Sequence, residues 1–156
     1  MMKRPLLVAL LTIATGVGGC GTVSDEKHDP TIAEAILQLT RAVDETLRTS
    51  DVQGGRRGER RPWPCDLEGH HAVSYSYDVD STNPEAVVKR ALAYWTARGV
   101  RVVDDSSGRS IHPSVTLAGE LFELGIYAFP ERGQVWIAGN TVCLAGEVPE
   151  GWRDVR

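Results

Sequence analysis

The chain has 156 residues and a formal net charge of −4, from 17 basic and 21 acidic side chains. Residues 1–19 contain Lys3 and Arg4 but no acid, so the remaining 137 residues carry 15 basic against 21 acidic side chains, a net charge near −6. That length suits one domain, expected over residues 29–156, and its acidic balance argues against general binding to nucleic acid or anionic lipid.

Residues 1–19 have the order of parts of a secretory signal. Two basic residues precede an uncharged apolar run over residues 5–18, which is shorter than the roughly 20 residues of a spanning helix. The segment Val17–Cys20 then resembles the lipobox of bacterial lipoproteins. This resemblance implies that residues 1–19 are removed and that Cys20 carries a diacylglycerol, with residues 20–28 as a tether. The alternative is an ordinary signal peptide with an incidental cysteine.

This interpretation predicts the location of the protein. Two acyl chains on Cys20 are sufficient for stable anchoring. We therefore expect the protein on the extracytoplasmic face of the cell membrane, with the N-terminal lipid as its contact with the bilayer.

An apolar stripe predicts a first helix that opens at Asp29-Pro30. Asp is a favourable N-cap and Pro a favourable first helical residue. The stripe has spacings of three and four residues, and its members are Ile32, Ile36, Leu39, Val43 and Leu47. We expect it to dock on the core, the alternative being a partner-binding helix.

Residues 51–64 are predicted to be an exposed loop, because Gly54-Gly55 interrupts the helical pattern. The loop contains four arginines within six residues, namely Arg56, Arg57, Arg60 and Arg61, and then Trp63. Guanidinium groups pair well with phosphate and carboxylate, and an exposed tryptophan can stack on a sugar ring. One hypothesis is therefore a binding site for cell-wall glycan or an anionic envelope polymer; the alternative is a solvated loop.

The rest of the chain alternates between strand and helix patterns. Strands are predicted over residues 72–79, 100–104, 115–119, 122–129 and 135–142, with a turn at 130–133. Residues 117–128 also fit helical spacing, but their glycines and the alternation of apolar residues favour strands. A second helix is predicted to start at Asn83-Pro84 and to end at Gly99, with an inward stripe of Val88, Ala91, Leu92 and Trp95. The predicted fold class is α+β, with two helices packed on one face of a largely antiparallel sheet of about five strands.

With Cys20 assigned to lipid, Cys65 and Cys143 remain. Thiols of exported proteins commonly oxidise, so the simplest pairing is one disulfide between them, closing a loop of nearly 80 residues. A redox or nucleophilic role is the alternative. It is weakly supported, because neither cysteine lies in a Cys-x-x-Cys pair or beside a His or Lys.

The sequence contains no strong signal for catalysis. His70 and His71 are the densest group of possible metal ligands, but adjacent strand residues point to opposite faces, so both would have to lie in a turn. Acidic pairs such as Asp104-Asp105 or Glu120 and Glu123 could serve acid–base chemistry, although such pairs at turns and strand edges are ordinarily solvated. Nucleophile, phosphate-binding and dinucleotide motifs are missing. We expect no catalytic residue, metal or cofactor; a metal-dependent hydrolase near His70 and His71 is the alternative.

Several short segments together resemble a group of small, largely uncharacterised lipoproteins of actinobacteria. They are the lipobox at Cys20, Pro64-Cys65, Ala93-Tyr94-Trp95, Arg98-Gly99-Val100 and Gly139–Cys143. The resemblance implies a lipid-anchored envelope protein and carries no catalytic residue with it. We therefore expect a monomer with a non-catalytic binding or interaction role, whose partner is an envelope protein or a cell-wall polymer.

Overall fold

The computed structural model describes residues 29–50, 52 and 55–154, and of residues 55–57 the backbone alone. The predicted lipobox and the tether over residues 20–28 lie outside the described residues. The described part is α+β, with two α-helices and a seven-stranded sheet. Their bounds are α1 Ile32–Thr49, β1 Gly55–Pro64, β2 His70–Asp80, α2 Pro84–Thr96, β3 Arg101–Asp105, β4 Ser114–Ala118, β5 Phe122–Phe129, β6 Gln134–Thr141 and β7 Leu144–Ala145.

Helix α1 begins two residues later than the sequence predicted, because Thr31 rather than Asp29 is its N-cap. The Glu34 amide donates to Thr31 Oγ1 at 3.2 Å, and the Thr31 amide donates to the Glu34 carboxylate at 2.7 Å. This reciprocal capping box satisfies two backbone donors, which an Asp29 cap would not. The predicted stripe is confirmed as the inner face of the helix, with Ile32, Ile36, Leu39 and Val43 buried and Leu47 partly buried.

Strand β1 corrects the prediction of a loop over residues 51–64. It pairs antiparallel with β2, with a bulge between Arg57 and Arg60. Gly58 lies in this bulge, where a Cβ atom would overlap the carbonyl group of Ser76. Charged residues and prolines are tolerated here because β1 is at the edge of the sheet and pairs on one side.

The predicted later elements are confirmed, with bounds shifted by one or two residues. Helix α2 starts after Asn83, whose side chain accepts a hydrogen bond from the Ala86 amide at 3.1 Å. It stops before Gly99, which adopts the left-handed conformation at φ +74°. The predicted turn over residues 130–133 is a short 3-10 segment followed by Gly133, also left-handed at φ +61°.

All strands pair antiparallel in the order β1-β2-β6-β5-β4-β3, and β7 adds to β2. The sheet has more strands than the five predicted, because β1 and β7 were not expected. Both helices pack on one face. The main core joins buried side chains of the helices to alternate residues of four strands: Leu39, Val43, Val87, Val88, Trp95, Tyr75, Val79, Val115, Leu117, Leu124, Ile126 and Ile137.

Gly139 lets α1 approach the sheet closely. A Cβ atom at this position of β6 would overlap Leu39 Cδ1 and lie 3.0 Å from the carbonyl oxygen of Glu123. The position therefore has room for a hydrogen atom and no more, which places the helix axis near the strands.

The predicted disulfide is confirmed: Cys65 and Cys143 are bonded, with a Cα–Cα distance of 6.2 Å. Cys65 directly follows β1, and Cys143 closely follows β6. Because β1 and β6 both pair with β2, the disulfide ties the two neighbours of β2 at the same end of the sheet.

Candidate functional site

The face of the sheet opposite the helices, here called the open face, carries the exposed members of each strand. Along β6, for example, Val135 and Ile137 are buried towards the helices, whereas Gln134, Trp136 and Asn140 are exposed. Strand alternation makes the two faces chemically different. The open face is polar, with a few large aromatic side chains.

The register of the strands aligns six residues of six strands across the open face, here called the polar row. Its members, from β3 to β1, are Arg101, Ala118, Glu123, Asn140, Ser74 and Arg61. Neighbouring strands lie about 4.8 Å apart, so the row is about 24 Å long. Four polar residues that are far apart in sequence, from Glu123 to Arg61, thus lie side by side, and Ala118 separates them from Arg101.

A groove of about 580 Å³ lies at the end of the sheet that holds the disulfide. We call it the Trp63 groove, and its principal lining residues are Trp63, Arg101, Glu120, Glu123 and Asn140. In the part of the chain that the structure describes, none of these four polar side chains makes a hydrogen bond or an ion pair. The groove therefore gathers donors and acceptors that are available to a ligand.

Trp63 is held rigidly at the rim of this groove. Its side chain remains 42% exposed, although its backbone is paired in β1 opposite Ala72. Pro62 and Pro64 flank it, each with a fixed φ angle. Cys143 of the disulfide also lines the groove. An indole that is exposed on so constrained a backbone loses little conformational entropy on binding.

A second aromatic group lies on the open face at a distance from the groove. The rings of Tyr127 and Trp136 are 5.4 Å apart at an interplanar angle of 32°, and Trp136 is 40% exposed. Tyr127 lies over Gly125, where a Cβ atom would overlap its ring. On β2, Trp63 is in register with Ala72 and Trp136 with Asp78, which separates the two indoles by about 20 Å along the strands.

The structure distributes the predicted arginine cluster over different environments. The guanidinium of Arg60 lies 4.2 Å from the centre of the buried Tyr75 ring and donates to the Arg153 carbonyl at 2.7 Å. Arg61 instead forms an exposed ion pair with Glu59 at 2.8 Å, and this hydrogen bond raises the pKa of Arg61. Adjacent strand residues point to opposite faces, so Trp63 is accompanied on its face by Arg61 and not by Arg60.

Arg56 and Arg57 contribute backbone pairing to β1. They are in register with Asp78 and Tyr77 of β2, respectively. Their side chains lie outside what the structure describes.

His70 and His71 contact different backbone carbonyl groups. His70 Nδ1 lies 3.1 Å from the Glu68 carbonyl oxygen, and His71 Nδ1 lies 2.7 Å from that of Gly146. Both residues belong to the start of β2, so their side chains diverge. Among residues 29–50, 52 and 55–154, no group of three potential metal-ligating side chains occurs.

The sequence indicated Trp63 and the pair of Glu120 and Glu123, but not the residues that complete the site. Arg101 and Asn140 are single polar residues within strand patterns, and Trp136 alternates with buried neighbours as any exposed strand residue does. Their common location follows from strand order and register, and no local sequence signal could have identified it.

No family model, curated protein or solved structure matches this chain. Across the described ranges, neither helix combines the length and apolar character needed to cross a membrane.

Proposed function

We propose that this protein is a lipid-anchored, extracytoplasmic protein that binds its ligand non-catalytically on the open face of the sheet. The observation that supports binding is the exposure of two tryptophans, Trp63 and Trp136, on a face that neither helix covers. Large aromatic side chains are enriched at binding surfaces, and leaving them in water costs free energy that a ligand recovers.

Two features support the extracytoplasmic part of the proposal. The segment Val17–Cys20 resembles a lipobox, and the Cys65–Cys143 disulfide is typical of proteins that fold outside the cytosol. The acidic charge keeps such a protein soluble beside an envelope surface.

The mass of the intact protein tests the anchor. Protein isolated from membranes is expected to start at Cys20 and to carry two acyl chains. Two thiols should become alkylatable only after the protein has been reduced. The matched variant Cys20→Ala should carry no acyl chain. Parent protein that is bound to membranes, retains residues 1–19 and carries no acyl group would contradict the proposal.

A co-sedimentation assay tests the binding surface. Envelope material of the producing cells is extracted with detergent, so that acyl chains cannot insert, and is then incubated with the protein. We expect the double variant Trp63→Ala, Trp136→Ala to lose most of its co-sedimentation. The control is Ile111→Ser, which changes a residue of 72% exposure in the loop between β3 and β4. Equal sedimentation of all three proteins would refute binding through this face.

A further inference from the structure

We propose that the Trp63 groove is a subsite for a neutral oligosaccharide, an inference that rests on the proposed binding function and specifies its ligand class. The groove combines a rigid, exposed indole with polar side chains that have no partner within the described chain. A sugar chain presents the complementary groups, namely apolar C–H faces and hydroxyl-lined edges.

Trp63 supplies the apolar contact. The face of an indole ring carries negative charge density, and the C–H bonds on one face of a pyranose carry small positive charges, so the two surfaces stack favourably. Val142, which is 38% exposed, lines the same groove and extends this apolar floor. Stacking alone gives affinity for many ring compounds, and selection for sugars needs the polar groups beside it.

A sugar hydroxyl group both donates and accepts hydrogen bonds, and the polar side chains of the groove include partners for each role. Glu120 and Glu123 accept hydrogen bonds, and a carboxylate can accept two from neighbouring hydroxyls of one ring. Arg101 donates, and the Asn140 amide both donates and accepts. Bonds to charged partners are the stronger ones. Since Glu123 and Asn140 are directly opposite each other in the register, they present an acceptor and an amide side by side.

The charge of the groove excludes an anionic polymer. Its lining contains two carboxylates and one guanidinium, and the nearby Arg61 is already paired with Glu59 at 2.8 Å. A polyphosphate or polyuronate would bring further negative charge next to Glu120 and Glu123, which disfavours its binding. The groove therefore selects neutral sugars, in contrast to a site built on the whole arginine run.

The dimensions suit a short segment of a chain rather than one sugar. Arg101 belongs to the outermost strand on one side and Trp63 to the outermost strand on the other. The groove thus crosses the sheet over about 24 Å, which accommodates several linked pyranose rings.

The test is titration calorimetry of the full-length mature protein, kept soluble in a detergent without a sugar head group. The probes are cellotetraose, maltotetraose and chitotetraose, with tetragalacturonate as an anionic probe of equal length. We expect at least one neutral tetrasaccharide to bind more tightly than tetragalacturonate. Trp63→Ala should weaken that binding by roughly ten-fold or more, equivalent to losing about 1.4 kcal/mol, whereas Trp63→Tyr should restore most of it.

Ile111→Ser is the control, because it changes an exposed apolar residue, at 72% exposure, that does not line the groove. It should leave the affinity for the tetrasaccharide within about two-fold, and circular dichroism should show that all variants are folded. Absence of saccharide binding, tighter binding of tetragalacturonate, or unchanged affinity in Trp63→Ala would overturn the inference. Binding lost in Trp136→Ala and kept in Trp63→Ala would also overturn it, while leaving the proposed function of the open face intact.

Discussion

Trp95 joins the two helices through a buried hydrogen bond. Its Nε1–H donates to Thr46 Oγ1 at 2.9 Å, and the Thr46 hydroxyl donates in turn to the Ala42 carbonyl at 2.7 Å. In Trp95→Phe the Thr46 hydroxyl no longer accepts a hydrogen bond from the indole, and the smaller ring leaves a void. We expect the free energy of unfolding, measured by urea denaturation, to fall by about 2 kcal/mol.

The control is Trp136→Phe, which makes the same chemical change at a residue with 40% exposure. Its effect should stay within about 0.5 kcal/mol, because exposed substitutions seldom cost more. Equal losses in the two variants would mean that the Trp95–Thr46 hydrogen bond contributes nothing specific.

Asp105 illustrates local control of a pKa by neighbouring donors. The Ser107 hydroxyl at 2.6 Å and the Ser107 amide at 3.0 Å both donate to Asp105 Oδ1, and they lower the pKa of this carboxyl group. A carboxylate with a lowered folded-state pKa stabilises the fold above its unfolded pKa, and this contribution is lost as the pH falls through the folded pKa.

We expect Ser107→Ala to raise the pKa of Asp105 towards its ordinary value, because the side-chain hydrogen bond is the larger cause. Carboxyl-carbon NMR titration measures the change. Glu131 is the internal control, since its lowered pKa arises first from a backbone hydrogen bond and then from His112. If Asp105 titrated unchanged in the variant, the Ser107 hydroxyl would not be the main cause of its lowered pKa.

At the scale of elements, β1 shows why tertiary pairing can override composition. Its sequence is rich in Gly, Arg and Pro, residues that are neutral or unfavourable in isolated strands. Pairing with β2 supplies the backbone hydrogen bonds, and the bulge at Gly58 accommodates the irregular register. The alternating strands β2, β5 and β6 were predictable because one face of each is buried, which produces a period of two.

The packing of α1 on β6 depends on Gly139. We expect Gly139→Ala to lower the free energy of unfolding by about 1–3 kcal/mol, because the added methyl group meets Leu39. Combining it with Leu39→Ala should cost less than the sum of the two single changes, since the overlap is then relieved. Thermal or urea unfolding of the two single variants and the double variant gives the coupling free energy between positions 139 and 39.

Gly108→Ala is the matched control. A Cβ atom at Gly108 meets no atom within 4 Å, so its stability should remain close to that of the parent protein. Additive effects of Gly139→Ala and Leu39→Ala would contradict the close-approach explanation.

At the scale of the whole molecule, the α+β class, both helices, five strands and the disulfide were predictable from periodicity, caps and cysteine count. Part of the candidate site was predictable, because the sequence indicated Trp63 as an exposed binding residue and Glu120 and Glu123 as an acidic pair. Arg101 and Asn140 depend on the order β1-β2-β6-β5-β4-β3, in which β6, β5 and β4 lie between β2 and β3. Placing Arg101 in one row with Asn140 requires that order and the register together.

The disulfide should contribute much of the global stability, because it links residues 78 positions apart. We expect the double variant Cys65→Ser, Cys143→Ser to lose about 4.5 kcal/mol of unfolding free energy, by the chain-entropy relation for a loop of this length. Reduction of the parent protein should give a similar loss. A change below about 1 kcal/mol in both experiments would show that the bridge is dispensable for folding.

Glu120 connects the Trp63 groove with the first of the residues that the structure describes. It lines that groove and also a cavity of about 310 Å³ beside Pro30 and Glu34. On the proposed anchoring through Cys20, the stretch up to Asp29 extends no more than about 30 Å. The groove would then stay within a thin layer directly above the bilayer. Glycans that are attached to the membrane surface or extend from it would be within its reach. More distant layers of the wall would not.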